Sequence, residues 1–550
     1  MKIKLNYESF LIILFLFFSS LITLKNIFHP GIYTAHDIWH NLARLNYYFQ
    51  FLKDGQVPPY FGSNLAYGFG YPLFLFSYHL PWIFGSFLMW LGFGDVNTIK
   101  FLFLFSFFLS CVSMYYLAFE ISKNKFISLV SSILYLWAPY RFFIIYVSAA
   151  VGISFTFIFV PLLFLGLIKI YKSEFTKGLI WMTVGLTGLI LSHFPTLVVF
   201  LPLFLLLSVY FFFMSSKKGL FIKFLFLSFV LSLGISSFYF IPAFYYKGLV
   251  LGLPSVFHMG FVTLRQLIYS KWGFGIIVNS ASENPFSFQI GISQWLIFLV
   301  SFLFVFLNRG KSKNFPLILI LIFIFCFNVF LSTSLSKALW SSFISKTGLD
   351  FPFRFIYPNV FISSLLFVYL IREIKNDFIY YFFSFLLLFI AFYTNRNHIR
   401  PNMFLSENEF RQFVNSEVTT STYGEYFPSF VDLSLANYNF REMIMKQNNL
   451  SLVYENSTKS VYKVSLDNDG EVVLPKYAYS FISLYINGVP HGFMMGEGGL
   501  ITLSVNRGLQ EIEVVFNKSF IMKLSFYITV LSLFVFLLIL WKNIKRNYEI

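Results

Sequence analysis

Charge is what this chain lacks. Only 12% of its 550 residues are Asp, Glu, Lys or Arg, against about 25% in soluble globular domains. A chain so poor in charge cannot clothe itself in a hydrated surface. The remainder is apolar: 57% of residues are hydrophobic and the mean hydropathy is +0.72. Acid is scarcer than base, with 24 Asp and Glu to 40 Lys and Arg, for a net charge of +16. The basic residues stand in short clusters between apolar runs, the pattern of cytoplasmic loops in membrane proteins. That distribution excludes nucleic acid as a partner. Cysteine is nearly missing. Cys111 and Cys326 both lie inside apolar runs, without His or a second Cys at ligand spacing, which argues against a disulfide or a thiolate metal site. No G-x-G-x-x-G, Walker A, H-E-x-x-H or C-x-x-C motif occurs in a supporting context, which argues against nucleotide-driven chemistry. What the chain has in quantity is phenylalanine, 80 residues, read as burial and lipid contact.

Apolar runs of about 20 residues are long enough to cross a bilayer as helices. They place twelve spans near 9–26, 99–119, 127–146, 151–168, 178–194, 196–214, 222–244, 290–308, 315–333, 356–371, 378–394 and 519–541. Lys2 and Lys4 with Phe10–Leu24 resemble a signal peptide but lack a small-residue cleavage site, so this segment reads as a retained first span. The connections at Lys123/Lys125, Lys169/Lys172/Lys177, Lys217/Lys218/Lys223, Arg309/Lys311/Lys313 and Arg372/Lys375 are basic. Every second connection is then basic, and these should be cytoplasmic with both termini. This alternation decides Leu73–Phe93, which is apolar enough to cross. If it did cross, Lys2/Lys4 and Lys123/Lys125 would fall on opposite faces. It is therefore expected to lie in the outer interface as a helix or helix pair, broken by Pro72, Pro81 and Gly85. Past Thr394 most of the acidic residues appear. Alternating segments at Ser460–Leu466, Phe481–Ile486, Leu500–Val505 and Glu511–Phe516 are separated by Asn468-Asp469-Gly470, Asn487-Gly488 and Arg507-Gly508. These predict strands and turns. The fold class expected is mainly α: a polytopic membrane helical bundle (1–394, first outer loop 27–98), an extracytoplasmic β-sandwich (395–518), and a final span with a basic tail (519–550). Membrane lipids are its surroundings.

One polar cluster interrupts the first outer loop. Thr34-Ala35-His36-Asp37-Ile38-Trp39-His40-Asn41-Leu42-Ala43-Arg44 puts an acid, two imidazoles and a guanidinium within nine residues. Ionisable groups beside a membrane are costly and mark function. On a helix Asp37, His40 and Arg44 share a face. Asp37 is also well placed to be a helix N-cap, and the arginines to snorkel at the interface. His36 and His40 at i, i+4 are a workable ligand pair, but Asp37 points about 100° away, which leaves a divalent metal as a minor alternative and no cofactor as the main expectation. Further on, Asn64–Pro72 is rich in Gly and Tyr, able to bring backbone close to a ligand while rings stack on a sugar face. The other long outer loop, 245–289, with Arg265, Lys271 and Trp272, is long enough to be functional.

The pattern His36-Asp37 … His40 … Arg44 … Gly55 … Pro58 … Gly68-Phe69-Gly70-Tyr71-Pro72-Leu73-Phe74 … Pro81 resembles the first loop of the bacterial and archaeal membrane proteins labelled 6-pyruvoyl-tetrahydropterin synthase-related, close to the YfhO-like proteins. Ala138-Pro139-Tyr140-Arg141, Leu191-Ser192-His193-Phe194-Pro195-Thr196, Phe238–Ala243, Phe351-Pro352-Phe353-Arg354-Phe355 and Glu425-Tyr426-Phe427-Pro428 continue the likeness in order. These families resemble GT-C glycosyltransferases, cell-envelope enzymes that take a sugar from a polyprenyl phosphate on the outer face. The resemblance implies Asp37 as catalytic base, with His40 assisting. The implied acceptor is an envelope glycan, lipid or protein. Charge at a leaving phosphate is then assigned to Arg44, Arg141 and Arg354, with His36 and His193 supporting, because a guanidinium fork suits phosphate. The family's Glu near the start of the fourth span has no counterpart in Val147–Ser154. A flippase of lipid-linked precursors and a non-catalytic envelope scaffold are the alternatives.

Overall fold

The structure, a computed structural model, describes residues 7–252, 254, 256–275, 287–308, 312–414, 420–421 and 423–548. Lys2, Lys4, Arg309 and Lys311 lie outside them. Among the described residues nine helices are long and apolar enough to cross a membrane, or ten if the pair Lys125–Leu136 and Pro139–Ser148, bent by 49°, is one span. Each of the twelve expected spans falls on helix, and the difference arises in three places. The 127–146 segment is that bent pair. The 178–194 and 196–214 segments form one helix, Phe175–Met214, broken only at His193, whose φ is −168° and ψ 91°. The 290–308 segment is a 17-residue helix, Ile292–Asn308. Proline accounts for the first two: Pro139 follows an extended Ala138 between two helices, and Pro195 follows the break at His193, neither proline able to donate a backbone hydrogen bond.

Two helices form the centre. Val151–Tyr171 and Pro352–Ile371 are almost wholly buried, whereas Asp377–Asn395 and Phe520–Lys545 are mostly exposed along apolar faces, as lipid-facing helices are. Val151–Tyr171 packs tightly on Phe175–Met214 through glycine. A side chain at Gly166 would sit 2.4 Å from the Met182 backbone, and one at Gly185 2.5 Å from that of Leu163, the small-residue contact that lets helix backbones approach in lipid. Asp95–Ser122, 28 residues long, fixes the two ends of the bundle about 42 Å apart. At one end the Glu120 carboxylate takes Lys123 at 2.9 Å, Lys169 at 3.0 Å and Lys172 at 2.8 Å, and Lys125 pairs with Glu8. The first basic connections and the start of the chain therefore share an end. At the other end Asp95 pairs with Arg411 at 2.8 Å.

Leu73–Trp90 is a helix pair, Leu73–Phe76 and Leu80–Trp90. The longer has 11 residues and spans about 16 Å, too short to cross a bilayer.

Among the described residues there are ten strands. β1 (Ile32–Tyr33) pairs with β2 (Phe404–Leu405). β3 (Leu450–Glu455), β4 (Lys459–Leu466), β10 (Gly508–Phe516), β6 (Ile482–Ile486) and β7 (Val489–His491) form one antiparallel sheet in that order. β5 (Gly470–Tyr477), β9 (Leu500–Val505) and β8 (Met494–Met495) form a second. Tyr462, Val464, Ile512 and Val514 of the first sheet and Val472, Leu474, Ile501 and Leu503 of the second are buried in one core. Asn487 and Gly488 have φ of 47° and 80° between paired Ile486 and Val489, the left-handed pair a two-residue hairpin demands.

The Gly- and Tyr-rich turn Asn64–Pro72 packs against this β region. Phe69 stacks on Tyr477 at 5.2 Å, Tyr71 on Phe427 at 5.4 Å, and the Tyr477 amide donates to the Phe69 carbonyl. Phe69 and Tyr71 are buried, so those rings are not free to stack on a sugar. Gly68, at φ 82°, lies where a side chain would enter the Arg441 guanidinium. Glycine's conformational licence is used here to bring two parts of the chain together.

Candidate active site

The polar loop is held by backbone. The amides of His36 and Asp37 donate to the carbonyls of Val147 and Ser148 at 3.0 and 2.8 Å. Asn41 Nδ2 donates to the carbonyl of Ala149 at 2.5 Å, a residue held at φ 54° just before the central helix. Asp37 precedes the helix Ile38–Lys53 but makes no side-chain capping bond. Among the described residues its carboxylate has no hydrogen bond or ion pair, and it lines a cavity of about 550 Å³.

That cavity gathers residues from across the chain. His36, His40 and Arg44 line it with Asp37, as do His193, Asp350, Arg354, Tyr423 and Glu425. Aromatic walls come from Tyr78, Phe143, Phe351, Phe353 and Tyr426. His193 occupies the break in Phe175–Met214, where its side chain faces the opening. Arg354 lies near the start of Pro352–Ile371 and forms a two-pronged ion pair with Asp350, one prong at 2.5 Å. Its Nη1 donates to His193 Nε2 at 3.1 Å. An accepting Nε2 leaves the ring proton on Nδ1, which then donates to Thr196 Oγ1 at 2.9 Å; the tautomer follows from these partners. Arg44 donates from Nε and Nη2 to the Thr420 carbonyl at 3.0 and 2.8 Å. It also lies 3.8 Å from Glu425 and 5.6 Å from the Tyr426 ring centre. Burial works against the Arg44 charge, but Tyr426, Tyr78, Glu425 and Asp37 outweigh it and hold the guanidinium above its usual range. Burial likewise pushes the Tyr78 phenol up, so it stays protonated.

Asp37 acts electrostatically on both Arg44 and Arg354. Each arginine also has a carboxylate of its own, Glu425 and Asp350. Asp37 is left as the cavity's one unengaged acid among the described residues.

Arg141 does not enter the cavity. It is buried between the rings of Phe107 and Phe157, 4.0 and 4.1 Å from their centres, with Nη2 on Ser110 Oγ at 2.9 Å. The bend at Pro139 turns it into the bundle core. Arg265, Lys271 and Trp272 are not among the cavity-lining residues either, although Met259 of the same loop is, and the Gly275 carbonyl lies 2.8 Å from His36 Nε2. Among the described residues no three His, Cys, Asp or Glu side chains gather as a metal-binding group. Sequence reasoning passed over Glu425 as a site residue. Its signal was the motif Glu425-Tyr426-Phe427-Pro428, which entered only as part of the family likeness. Asp350, a further acid of the cavity, is held by Arg354.

At the start of the central helix, Gly152 leaves no room for a side chain. A Cβ there would lie 2.6 Å from the Ser192 carbonyl oxygen and 2.8 Å from the Tyr78 ring. Gly152→Ala is therefore expected to lower stability by about 1–3 kcal/mol. The check is a fall in the melting temperature of the purified protein.

Fold and site together define a polytopic membrane protein with a polar cavity at the end of its bundle nearest the β region. No family model matches the chain. An uncharacterized protein of Lactococcus lactis subsp. cremoris (strain MG1363) is 26% identical over 318 residues, 55% of this chain and 50% of that protein. The chain thus spans about half the length of this curated relative. The crystal structure of the Archaeoglobus fulgidus oligosaccharyltransferase, tethered with an acceptor peptide through a disulfide, aligns with 72% of this chain and 55% of its own. The identity is 12% and the TM-score 0.34.

Proposed function

We propose that the protein is an integral-membrane glycosyltransferase of GT-C type, moving a sugar from a polyprenyl-phosphate donor to a hydroxyl of a cell-envelope acceptor on the outer face. The observation that carries this reading is the unengaged Asp37 carboxylate, facing a cavity it shares with two arginines and three histidines. The bond from the acceptor oxygen to the sugar's anomeric carbon forms as the bond to the phosphate oxygen breaks. Asp37 takes the acceptor's proton, and the leaving phosphate carries away the electron pair of the broken bond. A positioned base of this kind contributes about 10²–10⁴-fold. Arg354 and Arg44 stabilise the charge that grows on the phosphate. Both are pre-set by Asp350, His193, Thr420 and Glu425, so little reorganisation is needed. Tyr78, Tyr423 and Phe353 offer faces on which a sugar ring can stack. His40 assists from the same helix face as Asp37, and His36 supports the binding wall.

The test uses the full chain in vesicles with radiolabelled polyprenyl-phosphate sugars and an envelope extract as acceptor. Label should pass from the lipid to the water-soluble or glycan fraction, with free polyprenyl phosphate appearing in equal amount. If labelled lipid instead crosses the bilayer with its sugar–phosphate bond intact, the protein is a flippase and the proposal fails.

A further inference from the structure

A second cavity lies apart from the first. It is a groove of about 630 Å³ between the helix Ile38–Lys53, the interfacial helix Leu80–Trp90 and the last helix, Phe520–Tyr548. Its walls are almost entirely apolar, with Phe49, Leu52, Ile83, Phe87 and Phe526 among them. It shares no lining residue with the Asp37 cavity. The buried His79 stands beside it, its Nδ1 3.0 Å from the hydroxyl of Tyr48, which lines the groove. Burial pushes that imidazole down to about 3, so it is neutral and adds no charge.

One end of the groove is cationic. Lys53 lines it together with Val57. Lys518 donates to the Val57 carbonyl and sits 5.6 Å from the Tyr60 ring centre. Neither lysine has a carboxylate partner among the described residues. Lys518 is half-buried, and burial pulls its ammonium down to about 8, the mark of a cation without its anion. Both lysines sit at the level of the β region, since the neighbouring Asp54 carboxylate accepts from the Ser457 amide at 2.9 Å. From Phe520 to Thr529, which also lines the groove, the last helix descends about 14 Å. The groove therefore has a charged mouth at headgroup height and an apolar floor at chain depth.

We infer that this groove holds an anionic phospholipid of the surrounding bilayer, with its phosphate between Lys53 and Lys518 and an acyl chain along Leu52, Phe87 and Phe526. Because the groove shares no lining residue with the Asp37 cavity, its occupant is taken as a resident lipid and not the sugar donor. The inference does not depend on the reaction proposed above. A resident chain here braces the interfacial helix against the last helix and so steadies the floor on which the Asp37 loop rests.

Native mass spectrometry of the delipidated full-length protein tests this. It is titrated with phosphatidylglycerol, with diacylglycerol of the same chains, with phosphatidylcholine and with polyprenyl phosphate. Phosphatidylglycerol should bind at one site in preference to diacylglycerol and phosphatidylcholine. Lys53→Gln and Lys518→Gln should each weaken it roughly fivefold, the worth of one surface cation toward an anionic lipid, and leave diacylglycerol unchanged. Ser86→Phe, which fills the groove, should remove both lipids. Equal binding of phosphatidylglycerol and diacylglycerol, or lysine variants that retain full affinity, overturns the inference. So does displacement of phosphatidylglycerol by an equal or lower concentration of polyprenyl phosphate, which would make the groove a carrier site.

Discussion

Asp37→Asn should abolish measurable sugar transfer, a loss of about 10²–10⁴-fold, while leaving the melting temperature where it is. The two halves of this expectation come from one fact. Among the described residues the Asp37 carboxylate makes no hydrogen bond or ion pair, so the fold does not lean on it. The loop is held instead by the amides of His36 and Asp37 and by the Asn41 side chain, which the substitution leaves intact. Asparagine keeps the shape and cannot accept a proton. The measurement is transfer by the purified variant beside its thermal melt, and envelope glycans from a strain carrying only that copy. A variant that transfers at the wild-type rate would remove Asp37 from the chemistry. One that is inactive but also melts many degrees lower would make it a structural residue.

The second large effect belongs to Arg354. Its pair with Asp350 is shielded on both sides, the side chains 14% and 13% exposed. Arg354→Ala leaves the Asp350 carboxylate without its counter-ion and deprives His193 of its donor, at a cost of about 3–5 kcal/mol. Removing both charges with Asp350→Ala and Arg354→Ala should restore most of the stability, because an absent pair costs less than a broken one. Activity should not return in the double variant if Arg354 has the proposed role of meeting the leaving phosphate. Melting curves for the two single variants and the double variant close a cycle that separates pairing from packing. If the double variant melts no higher than Arg354→Ala, the pair is not the source of the loss.

What sequence revealed follows from the range of the interactions concerned. The Asn487-Gly488 hairpin and the strand Leu500–Val505 stand where local chemistry puts them, because a left-handed pair and a two-residue period are decided by neighbours. Most of the spans were legible for the same reason, apart from the joins at Pro139 and Pro195 and the short helix at 290–308. At those joins a proline bends a helix that composition alone divides or runs straight. The polar residues His36, Asp37, His40, Arg44, His193 and Arg354 drew attention by rarity, and they line one cavity. Arg141 drew the same attention but is caged by Phe107 and Phe157, a fate set by helix rotation, which residue type does not record. The Asn64–Pro72 turn has the composition of a ligand loop, and only the distant Tyr477 and Phe427 make it a buried joint. Glu425 reaches Arg44 across nearly the whole bundle in sequence. No spacing rule connects two such positions.

The pairing of Ile32–Tyr33 with Phe404–Leu405, together with the grip of Thr420 and Glu425 on Arg44, sets a timetable for this protein. The loop that carries Asp37 leaves the ribosome early, but the strand beside it and the clasp on its arginine are made last. At ordinary rates of synthesis about 20–70 s separate the two. Through that interval the first helices are already made while the Asp37 cavity is unfinished. A chain that stops short of residue 404 therefore has every polar residue of the first loop and an incomplete cavity around them.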